Sequence, residues 1–370
     1  MDFKLTEERQ MLQDGLRRYL ADNVTHESEA RATETDTGHD SALWGGLTEM
    51  GLPGAMFTEE QGGFGGAGFD IMVAFEELGR AGAATPLIES ALLAGGLLAE
   101  AGRSDEVEQI IAGRVIGFAH GEPASRYDLE RVETRARKTG EGWHLSGQKA
   151  VVHHAPAADA LVVSARTAGE LDAQDGLSLF LVPTDQLSLR SYPLYGGGRA
   201  AEVTLDCTVP QEALVGAEGG GFPMIERANA RAAAAQCAEA LGLMETIKSL
   251  TVDYLRQRRQ FGQPIGKFQA LQHRMADVLI EIEQARSAVI NLCGHLEAER
   301  DERELHVSAT KNLIGRAGRL VAEEAIQMHG GIGMTQEYAL GHFAKRLTMV
   351  DHRFGDADYH LERFIRLAAA

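Results

Sequence analysis

Apolar positions recur along the chain with three different periods. From Thr6 to about Gly113 the spacing is helical: Thr6-Glu7-Glu8 reads as a capped start, and Leu12, Leu16 and Leu20 follow four apart on one face. Gly51-Leu52-Pro53-Gly54 and Gly62-Gly63-Phe64-Gly65-Gly66 break this zone into helices joined by loops. From about Arg114 to Gly216 the rhythm shortens to strand-like runs, Val115–Ala119, Trp143–Val152, Leu161–Ala165, Leu177–Val182 and Ala201–Leu205, separated by Gly, Pro and Asp. Within it Arg166–Gly176 reads as an exposed loop. From Gly221 the helical period returns, and Leu271, Met275, Val278, Ile282, Ala285, Val289, Leu292 and Leu296 mark one stripe of a long helix. Further helices are predicted over Leu305–Met328 and Asp358–Leu367. The pattern predicts an α+β multidomain chain: an amino-terminal helical domain (1–113), a middle antiparallel β domain (114–218) and a carboxyl-terminal four-helix bundle (219–370).

A length of 370 residues suits two or three packed units, and 44% apolar residues supply their cores. The net charge of −18 argues against a nucleic-acid or anionic-membrane binder, so an anionic ligand must meet cations placed for it. Cys207, Cys237 and Cys293 are isolated and odd in number, which points to a reducing cytoplasm rather than a disulfide framework. Met1-Asp2-Phe3-Lys4 opens no apolar leader, and no run of about eighteen apolar residues occurs. A soluble, unexported protein is expected.

Two short segments carry the chemistry of an anionic ligand. Arg258 offers a guanidinium whose paired donors match phosphate oxygens. Gly330-Gly331 removes side chains where backbone can approach a ligand, and Gln327 adds an amide. Alone, Arg258 and Arg259 have the alternative reading of a solvated helix end, and Gly330-Gly331 read equally as a helix cap. Their co-occurrence favours a ligand.

The run Tyr254-Leu255-Arg256-Gln257-Arg258-Arg259-Gln260-Phe261-Gly262-Gln263-Pro264-Ile265, followed by Phe268-Gln269, resembles the signature helix-end segment of acyl-CoA dehydrogenases. So does Gln327-Met328-His329-Gly330-Gly331-Ile332-Gly333-Met334 followed by Glu337-Tyr338. Met50-Gly51-Leu52, Glu59 to Gly65 and Glu76-Glu77-Leu78-Gly79 are similar to the family's amino-terminal domain. The resemblance implies FAD as cofactor, an acyl-CoA substrate and an electron-transferring flavoprotein as acceptor. It implies that Arg258, Gln260, Phe261, Phe268, Gln269, Gln327, Gly330 and Gly331 meet the adenosine half of a flavin held mainly by a neighbouring subunit.

The same resemblance exposes losses. Where the family holds the flavin ring with hydroxyls and an indole, this chain reads Gly121-Glu122-Pro123, Ser125-Arg126-Tyr127-Asp128 and Val151-Val152-His153. The family's base position near the carboxyl end, in Phe354-Gly355-Asp356-Ala357, falls on Gly355; the alternative position on an earlier helix falls on Ala232, with Ala233 and Ala230 where ligand-binding Arg and Asp would stand. Glycine and alanine cannot remove a proton. The asymmetry implies a subunit of a heteromeric dehydrogenase, α2β2 by closed symmetry, whose related partner chain carries the base. Bulky acyl groups such as steroid side chains or dicarboxylates follow by analogy only. A homo-oligomeric enzyme using Asp356 as an atypical base, with Asp351 nearby, stays open, as does a non-catalytic scaffold; Asp356 or Asp358 reads more simply as the cap of the last helix. His153-His154 point to opposite faces of a strand, so no metal site is expected there or elsewhere. His329 and Trp143 read as packing residues.

Overall fold

A computed structural model of the chain describes residues 5–369, so the opening Met1-Asp2-Phe3-Lys4 lies outside the described residues. The elements in chain order are α1 (Glu7–Asn23), α2 (His26–Glu34), α3 (Ser41–Glu49), α4 (Gly68–Ala81), a π-helical turn (Ile88–Ala94), α5 (Gly95–Glu100) and α6 (Ser104–Ile111). Strands follow: β1 (Ile116–Ala119), β2 (Arg135–Lys138), β3 (Trp143–His153), β4 (Ala160–Arg166), β5 (Leu177–Pro183), β6 (Ser188–Pro193), β7 (Arg199–Val209) and β8 (Leu214–Val215). The chain then enters α7 (Gly221–Gln257), a small hairpin of β9 (Arg259–Gln260) and β10 (Gln263–Pro264), α8 (Gln269–Gly294), α9 (Arg300–His329), α10 (Leu340–Met349) and α11 (Ala357–Ala368). No helix among the described residues is long and apolar enough to cross a membrane.

The contacts divide the chain into two compact units, and the break falls inside α7. One unit comprises residues 5–29, 67–83 and 233–369. Here α1 starts where the Thr6 hydroxyl accepts from the Arg9 N–H, and its Leu16 and Leu20, one turn apart, are buried. The expected stripe of α8 is buried from Met275 through Val278, Ile282, Ala285 and Val289 to Leu292. Two glycines set how α4 meets α7: a Cβ on Gly79 would lie 2.0 Å from the Glu239 carbonyl oxygen, and one on Gly242 would lie 2.0 Å from that of Glu76. Backbone touching backbone leaves room for a charged lattice around the crossing. Arg17 grips Glu77 at 3.0 and 2.7 Å, Arg80 reaches Glu76 at 2.8 Å, and Arg286 reaches Glu245 at 2.8 Å and Glu76 at 3.3 Å. Glu76 and Glu77 are buried, so these arginines are what makes their burial tolerable. The bundle gains α10, which the sequence pattern did not reveal because Leu340, Ala344 and Leu347 are too few to set a period.

The other unit, 30–66 and 84–232, is built on an eight-stranded sheet with the order β6-β7-β3-β2-β4-β5-β8, and β1 on β4. It is mainly antiparallel, although β1 runs parallel to β4 with Ile116 opposite Ala160, and β2 touches β4 in the same sense. Parallel neighbours need a long connection, and the β2–β3 hairpin lies between β1 and β4. Every residue of β4 is buried, which explains its unbroken apolar run. Trp143 is buried and meets Phe180 edge-on at 5.2 Å. The polar strands β2 and β6 escape sequence reading because backbone ladders, not side-chain alternation, define them. The loop after β4 is organised by Arg166, whose guanidinium, 1% exposed as a residue, donates to the carbonyls of Glu130, Val132, Ala168, Leu171, Ala173 and Asp175.

Candidate functional site

The two ligand-type motifs meet at one end of the helical unit. The last turn of α7 carries Tyr254, whose ring stacks on His329 at the end of α9 with centroids 4.4 Å apart. His329 is buried; its Nδ1 lies 2.8 Å from the Ala325 carbonyl oxygen and its Nε2 lies 3.3 Å from the Tyr338 hydroxyl. Burial lowers its pKa, and the ring serves as the packed post that fixes the Arg258 and Gly330 segments side by side. Sequence reading missed Tyr254 and Tyr338 as the other two parts of this post.

Around the post the expected residues face solvent. Arg258 follows α7, its N–H bonded to the Tyr254 carbonyl at 2.8 Å, and its carbonyl accepts from Ile265 at 2.8 Å. Its guanidinium is exposed and has no ion-pair partner among the described residues, unlike the gripped arginines of the charged lattice. In the β9–β10 hairpin the two turn residues Phe261 and Gly262 take φ of +52° and +79°. That is the twist-matched two-residue turn, and it drives Phe261 outward to 90% exposure. Phe268, which precedes α8, meets Phe261 edge-on at 6.1 Å, and Gln260, Gln269 and Gln327 are exposed. Gly330 ends α9 with φ +68° and ψ −145°, a conformation only glycine takes readily. A Cβ on Gly331 would meet nothing within 4 Å, so packing does not demand glycine there. A free guanidinium, three amides and a side-chain-free backbone shelf fit a dinucleotide's phosphates and adenosine edge.

In the sheet, the strand that would lie along a flavin ring is distorted. The register of β3 on β7 shifts between Lys149 and Val152, and Val151, in the bulge, takes φ +52° with 49% of its surface exposed. A β-branched residue there is strained. Beside the bulge Lys149 is fully buried and donates to Glu122 at 2.7 Å, to the His120 carbonyl at 3.2 Å and to Ser164 at 3.1 Å. Glu122 also accepts from the N–H groups of Glu133 at 2.5 Å and Thr134 at 3.0 Å. Burial opposes charge on Glu122, but Lys149 and these donors outweigh it and hold the carboxyl below its ordinary range. Burial draws Lys149 down to about 8 against the pull of Glu122, and His120 down to about 3. Glu122 is thus spent on structure.

The positions expected from the resemblance to hold a base carry small residues in packed surroundings. Ala230 and Ala232 are fully buried in α7, and so is Ala233. Gly355 sits at φ +98°, and a Cβ there would lie 2.4 Å from His360 Nε2 and 2.6 Å from the Tyr359 ring. His360 is held by the Phe354 carbonyl at 2.7 Å, and burial lowers its pKa to about 3. Asp356 accepts from the Tyr359 N–H at 2.8 Å as the N-cap of α11, and Asp351 accepts from the Ala357 N–H at 2.9 Å. Both carboxylates are engaged in holding this segment. Lys311, buried below it, donates to the Val350 and Arg353 carbonyls at 2.8 Å each.

Residues 6–113, 117–205 and 219–366 match, in that order, the families described as acyl-CoA dehydrogenase N-terminal domain, middle domain and C-terminal domain. The chain belongs to the acyl-CoA dehydrogenase family, whose cofactor is FAD. It is 27% identical to the probable acyl-CoA dehydrogenase YngJ of Bacillus subtilis, over 99% of this chain and 98% of that one. Among solved structures it is similar to the ChsE4–ChsE5 complex of Mycobacterium tuberculosis, with a TM-score of 0.89 and 26% identity over 100% of this chain and 99% of that chain. It is likewise similar to a variant of the Tcur3481–Tcur3483 steroid ACAD, with a TM-score of 0.86 and 30% identity over 98% of both chains.

Proposed function

We propose that this chain is the base-lacking subunit of a heteromeric FAD-dependent acyl-CoA dehydrogenase, converting an acyl-CoA to the 2,3-enoyl-CoA together with a related chain that supplies the base. The observation that carries the reading is steric. A Cβ at Gly355 would lie 2.4 Å from His360 Nε2, so any side chain there requires the ring to shift, whereas the side chains of Arg258, Gln260, Gln269 and Gln327 stand exposed without a hydrogen-bond partner among the described residues.

Arg258 would pair with the pyrophosphate, Gly330 and Gly331 would bring backbone against it, and Gln260, Gln269 and Gln327 would hydrogen-bond the adenosine half. Phe261 and Phe268 would cover its apolar faces. FAD bound in this way supplies a hydride acceptor for the β-carbon of the acyl chain while the partner's base takes the α-proton. This chain's own part is to hold and orient. Two similar structures are a two-protein complex and a paired steroid ACAD, which favours a heteromer, α2β2 by closed symmetry, and a bulky acyl group. Electrons would pass to an electron-transferring flavoprotein, in the cytoplasm.

Co-expression with candidate partner chains tests the reading. One flavin per heterodimer is expected, with little or none on this chain alone. Two flavins per pair, or a tightly held reducible flavin in the isolated chain, would overturn it.

A further inference from the structure

The turn between α8 and α9 gathers three donor groups that the proposed flavin function leaves unused. His295 follows the last residue of α8, and Glu302 and His306 stand four apart on the opening turns of α9, hence on one face. One nitrogen from each imidazole and one Glu302 oxygen all lie within 4.8 Å of one another. The two rings stack with centroids 3.9 Å apart.

The hydrogen bonds orient these donors inward. His295 Nδ1 is 2.7 Å from the Asn291 carbonyl oxygen, which fixes its proton on Nδ1 and leaves a lone pair on Nε2 in the neutral ring. That nitrogen faces Glu302 Oε1 across 3.6 Å. A neutral His295 and the Glu302 carboxylate so placed repel unless a cation, a proton or a metal ion, stands between them. The Nδ2 of the same Asn291 lies 2.9 Å from His306 Nδ1 and donates to it; turning that amide over presents Oδ1 instead, the acceptor that an Nδ1–H of a ligating ring requires. An outer N–H donated to an oxygen, as at His295, is how ligating imidazoles are fixed in metal sites.

We propose that His295, Glu302 and His306 bind a divalent transition metal of the zinc class, with water completing a four-coordinate shell and the ion clipping α8 to α9. Two imidazoles and a carboxylate select zinc, cobalt, nickel or copper over magnesium and calcium. Ligands about 2.0–2.1 Å from zinc stand roughly 3.4 Å apart, so side-chain shifts of about 1 Å close the site. The 26 residues of α8 place this turn about 39 Å from the Phe268 end of the helix, well away from the proposed flavin contacts.

Isothermal titration of zinc into the chelator-washed full-length chain, repeated on the co-purified complex, is the test. One equivalent, micromolar or tighter, is expected, with a rise in Tm, cobalt absorption bands of a nitrogen and oxygen site, and no displacement by magnesium. His306→Ala and Glu302→Gln should each weaken binding at least tenfold without changing flavin content; Glu302 is exposed, so its variant keeps the fold. No saturable binding would overturn the proposal. So would zinc binding that survives both substitutions, which marks an adventitious ion on other histidines only.

Discussion

The two ends of the helical unit's active-type machinery have opposite physical characters. Around Arg258 and Gly331 the polar groups are exposed and the glycine has open space, so nothing in the fold accounts for them. Around Gly355 the polar groups are mostly engaged: Asp356 caps, Asp351 accepts from backbone, His360 Nε2 is held by the Phe354 carbonyl, and Lys311 binds two carbonyls. Unspent polar groups suit a site that takes a ligand, and spent ones suit packing, which is the contrast the proposed function rests on.

The sharpest challenge is to put the base back. Gly355→Glu combines a left-handed backbone with a clash against His360, so it should cost more than about 3 kcal/mol of stability and give the chain no activity of its own; urea denaturation and assay of the chain without its partner check both. A stable, active variant would break the contrast.

Acid should weaken the closed regions next. His120 and His360 have folded pKa values of about 3 against an ordinary 6.5, so the unfolded chain takes up protons that the folded chain refuses. Stability is then retained above pH 6.5 and falls between 6.5 and about 3, by about 1.4 kcal/mol per pH unit for each ring. The urea midpoint followed against pH should show this slope, reduced in His360→Gln.

Arg258→Ala probes the open end. Loss of a charged hydrogen-bonding partner of phosphate, about 1.5–3 kcal/mol, should weaken flavin retention in the complex by roughly tenfold to a hundredfold. Because the side chain is exposed and unpaired among the described residues, the Tm of the isolated chain should not move. The smallest effect separates a cap from a base: Asp356→Ala should cost about 1 kcal/mol of stability, whereas Asp356→Asn, which still caps, should be nearly silent in stability and in turnover.

The sequence carried the architecture because long periods are hard to mistake: the α8 stripe from Met275 to Leu292 and the unbroken β4 run both lie where the pattern puts them. Motif order disclosed the family and its cofactor, and the matches over residues 6–113, 117–205 and 219–366 agree with that resemblance. What stayed hidden depends on tertiary neighbours. Nothing local in Gly355 announces that His360 fills its side-chain space, and nothing in Lys149 announces Glu122, 27 residues away in sequence. Nor does His295 announce that its ring stacks on that of His306.

Arg166 also sets a practical boundary on how this protein can be altered. With six carbonyl oxygens around one guanidinium, it works as a resident cation that cannot dissociate, and the 167–176 surface loop is wound onto it. A segment that looks like a convenient place to insert a tag or a cleavage sequence is therefore a poor one, since lengthening it would unwind the coordination sphere of its own hub.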